Sequence, residues 1–272
     1  MVNRMARIII VGCGYTGRRV SRSLAAEGHE VIATSRDTRN LVDLPVTPLR
    51  FALGNKADAQ NLHAFVRSDS RILLSTPVVD AHLADVISRA RRIVFLSTTG
   101  VYGAQREVNE FSQPAPRTQR ELARAHSEIA LNGSAMILRP AAIYGPHRGI
   151  HASMAAGKYR LAADGSNYVS RIHVDDLATH SGAALFSDAA GAWPVADEEP
   201  CTSREIAEFC AHLLGIPVPP SAALEELSET RQTDRRVDGS AIRRLLGLKL
   251  KYPSYRSGIP ACVAAEAAER AF

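Results

Sequence analysis

Several residues and patterns that define protein classes are scarce in this sequence. Its 272 residues include only four cysteines (Cys13, Cys201, Cys210 and Cys262), and none of them forms a CxxC pair or a metal-ligand spacing. We therefore predict no disulfide framework and no metal site, but buried free thiols in a reducing compartment. No segment approaches 18 consecutive apolar residues, so the sequence predicts no transmembrane helix.

Charge of one sign is not concentrated anywhere in the chain. Basic residues number 33 and acidic residues 28, a net charge of +5, and no run of five basic residues occurs. A nucleic-acid surface would be more clustered, so we predict no nucleic-acid partner, whereas a pocket for a phosphate-bearing small molecule suits the charge equally well. The apolar run Ile8–Val11 is too short for the core of a signal peptide, and we expect a cytoplasmic protein without a membrane partner.

The sequence does contain a repeated alternation of apolar strands and amphipathic helices. Six strands are predicted at Arg7–Val11, Val31–Thr34, Leu49–Leu53, Arg71–Ser75, Ile93–Ser97 and Ala135–Arg139. Helices are predicted between them at Gly17–Glu27, Ala59–Arg67, Ala81–Arg91 and Thr118–Leu131. Repeated units of this kind predict an α/β fold with a Rossmann-like, doubly wound parallel sheet.

The pattern is looser after residue 145. A short strand is predicted at Arg171–Val174, and helices at Asp175–Phe186, Thr202–Leu214, Asp238–Leu246 and Ser257–Arg270, with Thr202 as a cap and Glu205 three residues on. Residues 216–236 are predicted to be an exposed excursion. We therefore expect a nucleotide-binding domain at 1–147 and a smaller C-terminal substrate lobe at 148–272, interleaved with the sheet and not independent.

A glycine-rich loop follows the first strand and opens the first helix. Its glycines are Gly12, Gly14 and Gly17, the spacing that allows a tight turn, close approach of a pyrophosphate and packing of the helix on the sheet. The helix N-terminus adds free N–H groups for phosphates, so we expect cofactor contacts from these glycines and from Tyr15 and Thr16. The alternative is a glycine turn that only packs strand to helix.

The end of the second strand predicts which dinucleotide binds. An NAD site places a carboxylate there, but this chain has Thr34-Ser35-Arg36 and then Arg39, which suit the 2′-phosphate of NADP. We therefore favour NADP(H) over NAD(H), with Ser35, Arg36 and Arg39 as cofactor residues. Asp37 is a partial substitute for the missing carboxylate, and a solvated loop is the alternative for the two arginines. Ser75 and Thr76 touch the nicotinamide ribose or form only a turn.

Four segments resemble the extended short-chain dehydrogenases of the NAD-dependent epimerase/dehydratase family. The central one is Phe95-Leu-Ser-Thr-Thr-Gly-Val-Tyr-Gly103, which resembles the family segment FxSSxxVYG. The others are the glycine loop, Leu138–Pro146 and Arg171–Leu177, in the family's order. The resemblance implies a dinucleotide-dependent oxidoreductase, and it allows a homodimer formed by the helices after the fourth and fifth strands.

The resemblance implies a catalytic Ser or Thr, a Tyr as general acid and base, and a Lys four residues after the Tyr. Thr99 matches the first by position, with Thr98 beside it as a substrate contact. In the segment matching P-x-S-x-Y-x-x-x-K-x-x-x-E, however, Arg120 stands for the Tyr and Arg124 for the Lys. Arg124 can still bind ribose hydroxyls, but Arg120 cannot transfer a proton because a guanidinium stays charged in proteins.

Other side chains are candidates for the role of the missing tyrosine. Tyr102 is a further catalytic candidate, and Tyr144 and His173 are candidate substrate contacts, although packing is the more common role for buried Tyr and His. Arg120 lies on one helix face with Arg117 and Arg124, which is either a solvated face paired with Glu121 and Glu128 or an anion-binding face.

Two functional hypotheses follow from the sequence. The first is an NAD(P)-binding, epimerase/dehydratase-like oxidoreductase that lacks the family tyrosine and acts on a small carbonyl or sugar-type substrate. The second is a non-catalytic NADP(H)-binding sensor or regulatory protein.

Overall fold

The computed structural model describes residues 5–131, 133 and 135–270 as a mixed α/β chain. The strands are β1 (Arg7–Val11), β2 (Glu30–Ser35), β3 (Thr47–Arg50), β4 (Arg71–Leu74), β5 (Arg92–Leu96), β6 (Glu107–Val108), β7 (Met136–Pro140), β8 (Ala142–Tyr144), β9 (Leu161–Ala162), β10 (Tyr168–Val169), β11 (Arg171–His173), β12 (Gly191–Val195), β13 (Cys201–Thr202), β14 (Ser221–Ala222) and β15 (Arg236–Val237).

The α-helices lie between these strands and at the C-terminal end. They are α1 (Tyr15–Ala26), α2 (Lys56–Phe65), α3 (Ala81–Ile87), α4 (Gln119–Ala130), α5 (Ile150–Ala155), α6 (Val174–Phe186), α7 (Ser203–Leu214), α8 (Ser240–Leu246) and α9 (Tyr255–Arg270). Short 3-10 helices form at Thr38–Leu41, Thr99–Tyr102, Leu224–Glu226 and Glu229–Arg231. No helix in the described part of the chain is long and apolar enough to cross a membrane.

The main sheet has seven strands in the order β12-β7-β5-β4-β1-β2-β3. The pairings of β1 with β2 and β4, of β2 with β3, and of β5 with β4 and β7 are parallel. The chain therefore runs outward from β1 to β3 and then returns to β4 on the other side of β1. Ligands of such sheets bind at this switch point, outside the carboxyl ends of the strands. The Rossmann-like, doubly wound α/β fold predicted from the sequence is confirmed.

Most predicted elements lie within a few residues of their predicted bounds, and three differ. The third strand is Thr47–Arg50 rather than Leu49–Leu53, because its pairing with β2 ends where Ser35 meets Arg50. The third helix ends at Ile87 rather than continuing to residue 91. The seventh strand of the main sheet, β12, was not predicted, whereas the described residues of segment 216–236 are mostly exposed as predicted, with β14 within it paired with β9.

The chain divides into two compact units. Unit 1 comprises Val101 and the residues before it, Pro116–Arg139 and Leu177–Trp193, and unit 2 comprises Tyr102–Ala115, Pro140–Asp176 and the rest from Pro194 onward. In unit 1, α2 and α3 pack on the sheet through residues such as Leu62, Leu83 and Phe95, all of which are buried. Its tightly packed sheet fixes where each strand ends, and the loops after those ends carry the site residues.

Unit 2 has its own core and several two-stranded pairings. Its core contains Tyr144, Ile206, Tyr255 and Cys262, all buried. Helix α7 begins with a reciprocal capping box between Thr202 and Glu205, as predicted. The four cysteines of the chain are free and buried, which confirms the expectation from their spacing.

Candidate functional site

The glycine loop between β1 and α1 is anchored to the neighbouring strand ends. The Gly12 N–H donates to the Thr34 hydroxyl over 2.9 Å, and the Cys13 N–H donates to the Thr34 carbonyl over 2.8 Å. Gly12 has a φ of +85°, and a Cβ there would lie 3.0 Å from the Ser75 carbonyl oxygen. The turn therefore requires glycine at position 12 for reasons internal to the fold.

Gly14 has no such internal reason to be glycine. Its φ is −93°, which other residues can adopt, and a Cβ at this position would meet no protein atom within 4 Å. Gly14 is exposed and precedes α1, whose N-terminus has no side-chain cap and no acidic residue in its first turn. A dinucleotide pyrophosphate fits this arrangement, because it needs open space at the backbone and N–H groups at a helix N-terminus.

The other loop residues predicted to contact cofactor have distinct positions. Gly17 packs α1 on the sheet, since a Cβ there would lie 3.2 Å from Ile10 Cγ2. Thr16 is buried, whereas the half-exposed Tyr15 ring lies against the Arg19 guanidinium, 4.3 Å from its centroid. The loop thus combines a rigid inner side with an open side at Gly14.

The end of β2 carries no carboxylate at its last residue, Ser35, and the charged residues that follow it differ in their contacts. Asp37 caps the 3-10 helix at Thr38–Leu41 and pairs with the Arg39 guanidinium over 2.7 Å, which lowers the pKa of the Asp37 carboxyl. Arg36 is exposed and forms no hydrogen bond or ion pair with any described residue. Of the two arginines predicted to bind cofactor, Arg36 is therefore the one with a fully available guanidinium.

Arg124 joins the carboxyl ends of β4 and β5. Its Nη1 donates to the Thr76 carbonyl over 2.9 Å and to the Leu96 carbonyl over 3.1 Å. The Thr76 hydroxyl donates to the Val78 carbonyl. Ser75 is partly exposed beside the glycine loop. Nε and Nη2 of Arg124 have no partner among the described residues, so they remain free to donate to a ligand hydroxyl.

Burial and a neighbouring charge act on the Arg124 guanidinium. Burial lowers its pKa to about 10, and Arg120 contributes to the same direction. Arg124 therefore remains protonated at neutral pH. Arg120 lies one helical turn earlier, is exposed and forms no described hydrogen bond, so its guanidinium is available at the same end of α4.

Thr98 and Thr99 differ in exposure. Thr99 opens a 3-10 helix and is 8% exposed, whereas Thr98 is half-buried. The Thr98 hydroxyl accepts a hydrogen bond from the Gly100 N–H over 3.1 Å, and its own proton stays free to donate. Of the adjacent threonines, Thr98 presents the more accessible hydroxyl at the end of β5.

A buried ion pair fixes α4 in place. Arg139 Nη2 donates to Glu128 Oε2 over 2.6 Å, the Ser97 hydroxyl donates to Glu128 Oε1 over 2.5 Å, and both charged side chains are 7% exposed. At the other end of the helix, Thr118 and Glu121 form a capping box. Glu121 and Glu128 are thus used in structural contacts and form no hydrogen bond with Arg120 or Arg124, although the Glu128 charge partly opposes the lowering of the Arg124 pKa.

Three of the predicted site residues lie in unit 2 and are buried. Tyr102 is fully buried, and Tyr144 and His173 are 3% and 2% exposed. The Tyr144 hydroxyl donates to the Ser254 carbonyl over 3.3 Å, and burial raises its pKa well above the ordinary value for tyrosine. The burial of both tyrosines and the contact of Tyr144 with Ser254 support packing roles.

His173 makes contacts through both ring nitrogens. Its Nδ1 accepts from the Asp175 N–H over 3.1 Å, and its Nε2 lies 3.4 Å from Cys262 Sγ. The ring also packs against Tyr144 and Tyr252, with centroid distances of 5.2 Å and 4.0 Å. His173 is therefore enclosed by its own unit.

The parallel sheet and the glycine loop at its switch point define a Rossmann-like, NAD-binding type of fold. The profile of the NAD-dependent epimerase/dehydratase family matches residues 8–192. The chain belongs to this family, which confirms the resemblance noted in its motifs.

The chain is similar to individual proteins over part or nearly all of its length. It is 31% identical over 157 residues to the 3-diazoavenalumate denitrifying reductase of a Streptomyces species, covering 53% of this chain and 51% of the reductase. The match thus spans about half the length of that relative.

Two solved structures cover nearly the whole chain. A conserved protein of unknown function from Silicibacter pomeroyi DSS is 29% identical with a TM-score of 0.80, over 96% of this chain and 99% of that one. The UDP-glucuronic acid 4-epimerase of Bacillus cereus, in complex with UDP-glucuronic acid and NAD, is 16% identical with a TM-score of 0.78, over 98% and 100%. At that identity the second likeness shows the fold alone.

Proposed function

We propose that this protein is an NADP(H)-dependent oxidoreductase of the family that works without the family's tyrosine. The observation that carries the proposal is the loop at Gly14, where open space meets an uncapped helix N-terminus and no protein contact explains the glycine. The N–H groups of the loop and of the first turn of α1 would hold the pyrophosphate. Solved structures of the same fold contain NAD, which supports a dinucleotide at this place.

The preference for NADP(H) rests on the residues after β2. Arg36 has an unengaged guanidinium, which can form charge-assisted hydrogen bonds with a 2′-phosphate. Asp37, the alternative partner for an NAD ribose, is already used by Arg39 and by the cap of the 3-10 helix. The Arg39 guanidinium is paired with Asp37, so its contribution to binding the 2′-phosphate is smaller than that of Arg36.

The residues at the ends of β4 and β5 would position the reacting groups. A bound nicotinamide dinucleotide would donate or accept the hydride. Arg124 would donate to ribose hydroxyls through Nε and Nη2, the role that the resemblance gives to the family lysine. Thr98 would donate its hydroxyl proton to a substrate oxygen and so orient that oxygen.

Arg120 suits charge stabilisation and not proton transfer. A guanidinium remains protonated in proteins, so Arg120 can stabilise an oxyanion or bind an anionic substituent by hydrogen bonds. General acid catalysis typically contributes about 10²–10⁴ in rate, and its loss restricts the reaction to substrates that need little protonation at the hydride-transfer step. A small carbonyl compound or a sugar derivative with an anionic group fits these residues.

The second candidate is a non-catalytic NADP(H)-binding regulatory protein. Arg120 at the position of the family tyrosine favours it directly, because cofactor binding in unit 1 needs no proton donor. This candidate predicts cofactor affinity without turnover.

Turnover separates the two candidates. Purified protein with NADPH is mixed with aldehydes, ketones, keto acids and sugar nucleotides, and the loss of NADPH absorbance is followed for the wild type and for Thr98→Val. We expect oxidation of NADPH with at least one class and a decrease of about tenfold or more in Thr98→Val, with NADPH affinity unchanged. Tight NADPH binding with no turnover of any class would establish the regulatory candidate instead.

A further inference from the structure

A cleft of about 380 Å³ lies entirely within unit 2. It is lined by β6 and the residue after it, by the segment following β12, by β15 and by α8. This volume falls in the range of small-molecule sites in proteins. None of its lining residues belongs to the cofactor or substrate sets discussed above.

Asp197 is the unusual residue of this cleft. It is 3% exposed, and neither of its carboxylate oxygens has a hydrogen-bond partner among the described residues. Buried polar groups in folded proteins are almost always paired, and an unpaired buried carboxylate is especially unfavourable. Its orphaned state therefore points to a partner that is not part of the chain.

The backbone around Asp197 is rigid, so the side chain cannot easily turn elsewhere. Its own N–H donates to the Arg171 carbonyl over 2.7 Å, the preceding Ala196 carbonyl accepts from Arg243 Nη1 over 2.8 Å, and the Glu198 N–H donates to the Pro253 carbonyl over 2.9 Å. Every residue from 196 to 198 is thus fixed by a backbone hydrogen bond. Only the Asp197 carboxylate is left over.

The other charged groups in the cleft already have partners. Arg236 pairs with Glu107 over 2.6 Å, and Arg243 lies 3.5 Å from Glu198. Asp238 accepts a hydrogen bond of 2.8 Å from a backbone N–H, which lowers its pKa. Since the cleft contains four carboxylates and two guanidinium groups, it is acidic in a chain whose net charge is +5.

The electrostatic state of Asp197 agrees with this description. Burial raises its pKa to about 8, and the positive charge of Arg171, a contact with the Glu199 backbone N–H and the charge of Arg243 only partly oppose the rise. A cation brought into contact would stabilise the ionised carboxylate and supply the missing hydrogen bonds. An anion would be repelled, because carboxylates outnumber guanidinium groups in the cleft.

We propose that this cleft binds the cationic amino or amidine group of a small organic molecule, which Asp197 recognises. The proposal requires neither the cofactor nor turnover, so it stands or fails separately from the function proposed above.

Three probes of one shape and different charge test the proposal. Benzamidinium, benzamide and benzoate are titrated into the full-length protein by calorimetry at constant salt and at about pH 9, where the Asp197 carboxyl, with a pKa of about 8, is ionised. We expect saturable benzamidinium binding in the millimolar range or tighter, at least about tenfold weaker benzamide binding, and no benzoate binding. Preference for benzoate, equal binding of all three probes, or no binding of any probe would overturn the proposal.

Two substitutions assign the binding to Asp197. Asp197→Asn keeps the side-chain shape and removes the charge, and we expect it to weaken benzamidinium binding at least tenfold. Glu198→Gln removes a charge from an exposed, paired residue of the same cleft, and we expect a change of less than about threefold.

Thermal unfolding of the free variants distinguishes a ligand site from a structural residue. Removal of an unpartnered buried carboxylate leaves no broken contact, so Asp197→Asn should unfold at the same temperature as the wild type or higher. A lower unfolding temperature with unchanged probe binding would show that an ordered water or a structural contact satisfies Asp197, and it would contradict the proposal.

Discussion

At the scale of single residues, Gly12 is required by the fold, whereas we assign Gly14 a role in cofactor binding. Gly12 is required by its positive φ and by the Ser75 carbonyl oxygen, which would lie 3.0 Å from any Cβ at this position, whereas Gly14 faces open space. Gly14→Ala should therefore retain the wild-type unfolding temperature and lose NADPH affinity by tenfold or more, because the methyl group occupies the approach of the pyrophosphate. Calorimetry and thermal unfolding measure the two effects.

Gly12→Ala is the matched control for this prediction. It should destabilise the protein by about 1 kcal/mol or more, because alanine disfavours the left-handed conformation and crowds Ser75. If Gly14→Ala bound NADPH as well as the wild type does, the open space at the loop would not be the pyrophosphate site.

Arg36 carries the predicted choice between the two dinucleotides. Arg36→Ala should weaken NADPH binding by roughly tenfold or more and leave NADH binding nearly unchanged, because a charged hydrogen bond is worth about 1.5–3 kcal/mol. Arg39→Ala serves as the control, since this guanidinium is paired with Asp37, and its effect should be smaller. If Arg36→Ala weakened NADPH binding and NADH binding equally, Arg36 would not be the residue that binds the 2′-phosphate.

Residue-level sequence reasoning succeeded where a motif ties residue type to backbone geometry, as in the glycine loop. It assigned the catalytic hydroxyl to Thr99 and a substrate contact to Thr98, whereas in the structure Thr98 is the more exposed of the two, because Thr99 opens a 3-10 helix and is 8% exposed. It also gave no signal for Asp197, whose orphaned carboxylate depends on contacts among segments far apart in the chain. Pairing and burial of this kind are properties of the tertiary structure.

At the scale of elements, α4 depends on the buried pair of Glu128 and Arg139. Arg139→Met would leave the Glu128 carboxylate buried without its guanidinium, so we expect a loss of about 3–5 kcal/mol in the free energy of unfolding. Arg22→Met breaks an exposed pair with Asp43 and should change it by less than about 1 kcal/mol. Urea denaturation measures both, and a similar small loss in the two variants would contradict the role given to the buried pair.

The same helix carries the departure from the family pattern. The double substitution Arg120→Tyr and Arg124→Lys restores the family's tyrosine and lysine on an unchanged frame, so we expect it to create or increase NADPH-dependent carbonyl reduction by about tenfold or more. Steady-state kinetics with the same carbonyl panel measures this gain. No gain in a double variant that still binds NADPH would show that the substrate-side geometry, and not only the acid, differs from that of the family.

Most strands and helices of the main sheet followed from periodicity, whereas element ends, the strand β12 and the short helix α5 did not. The continuous apolar run of β1 and the capping box of α7 gave local signals strong enough to be found in the sequence. The third strand was predicted about two residues too late because its bounds depend on its pairing with β2. The ends of such a strand are set by its pairing with the neighbouring strand, so they cannot be predicted from hydropathy or turn residues.

At the scale of the whole molecule, the doubly wound parallel fold was predictable because alternating strands and helices leave few topologies, and the family was predictable from its sequence motifs. The chain passes between the two units several times, so that each unit is built from three separate segments. This division depends on long-range contacts and not on one boundary in the sequence. The substrate is least accessible to such reasoning, because the segments that vary around a common scaffold determine it.

Calorimetric titration of the wild-type protein with NADPH and with NADH, at one fixed salt concentration, tests the proposed NADP(H) site. We expect saturable NADPH binding at least about tenfold tighter than NADH binding, from the open loop at Gly14 and the free guanidinium of Arg36. A preference for NADH would contradict the role of Arg36 and return Asp37 to the ribose. Absence of binding by both would show that the glycine loop is structural, and both functional candidates would be rejected.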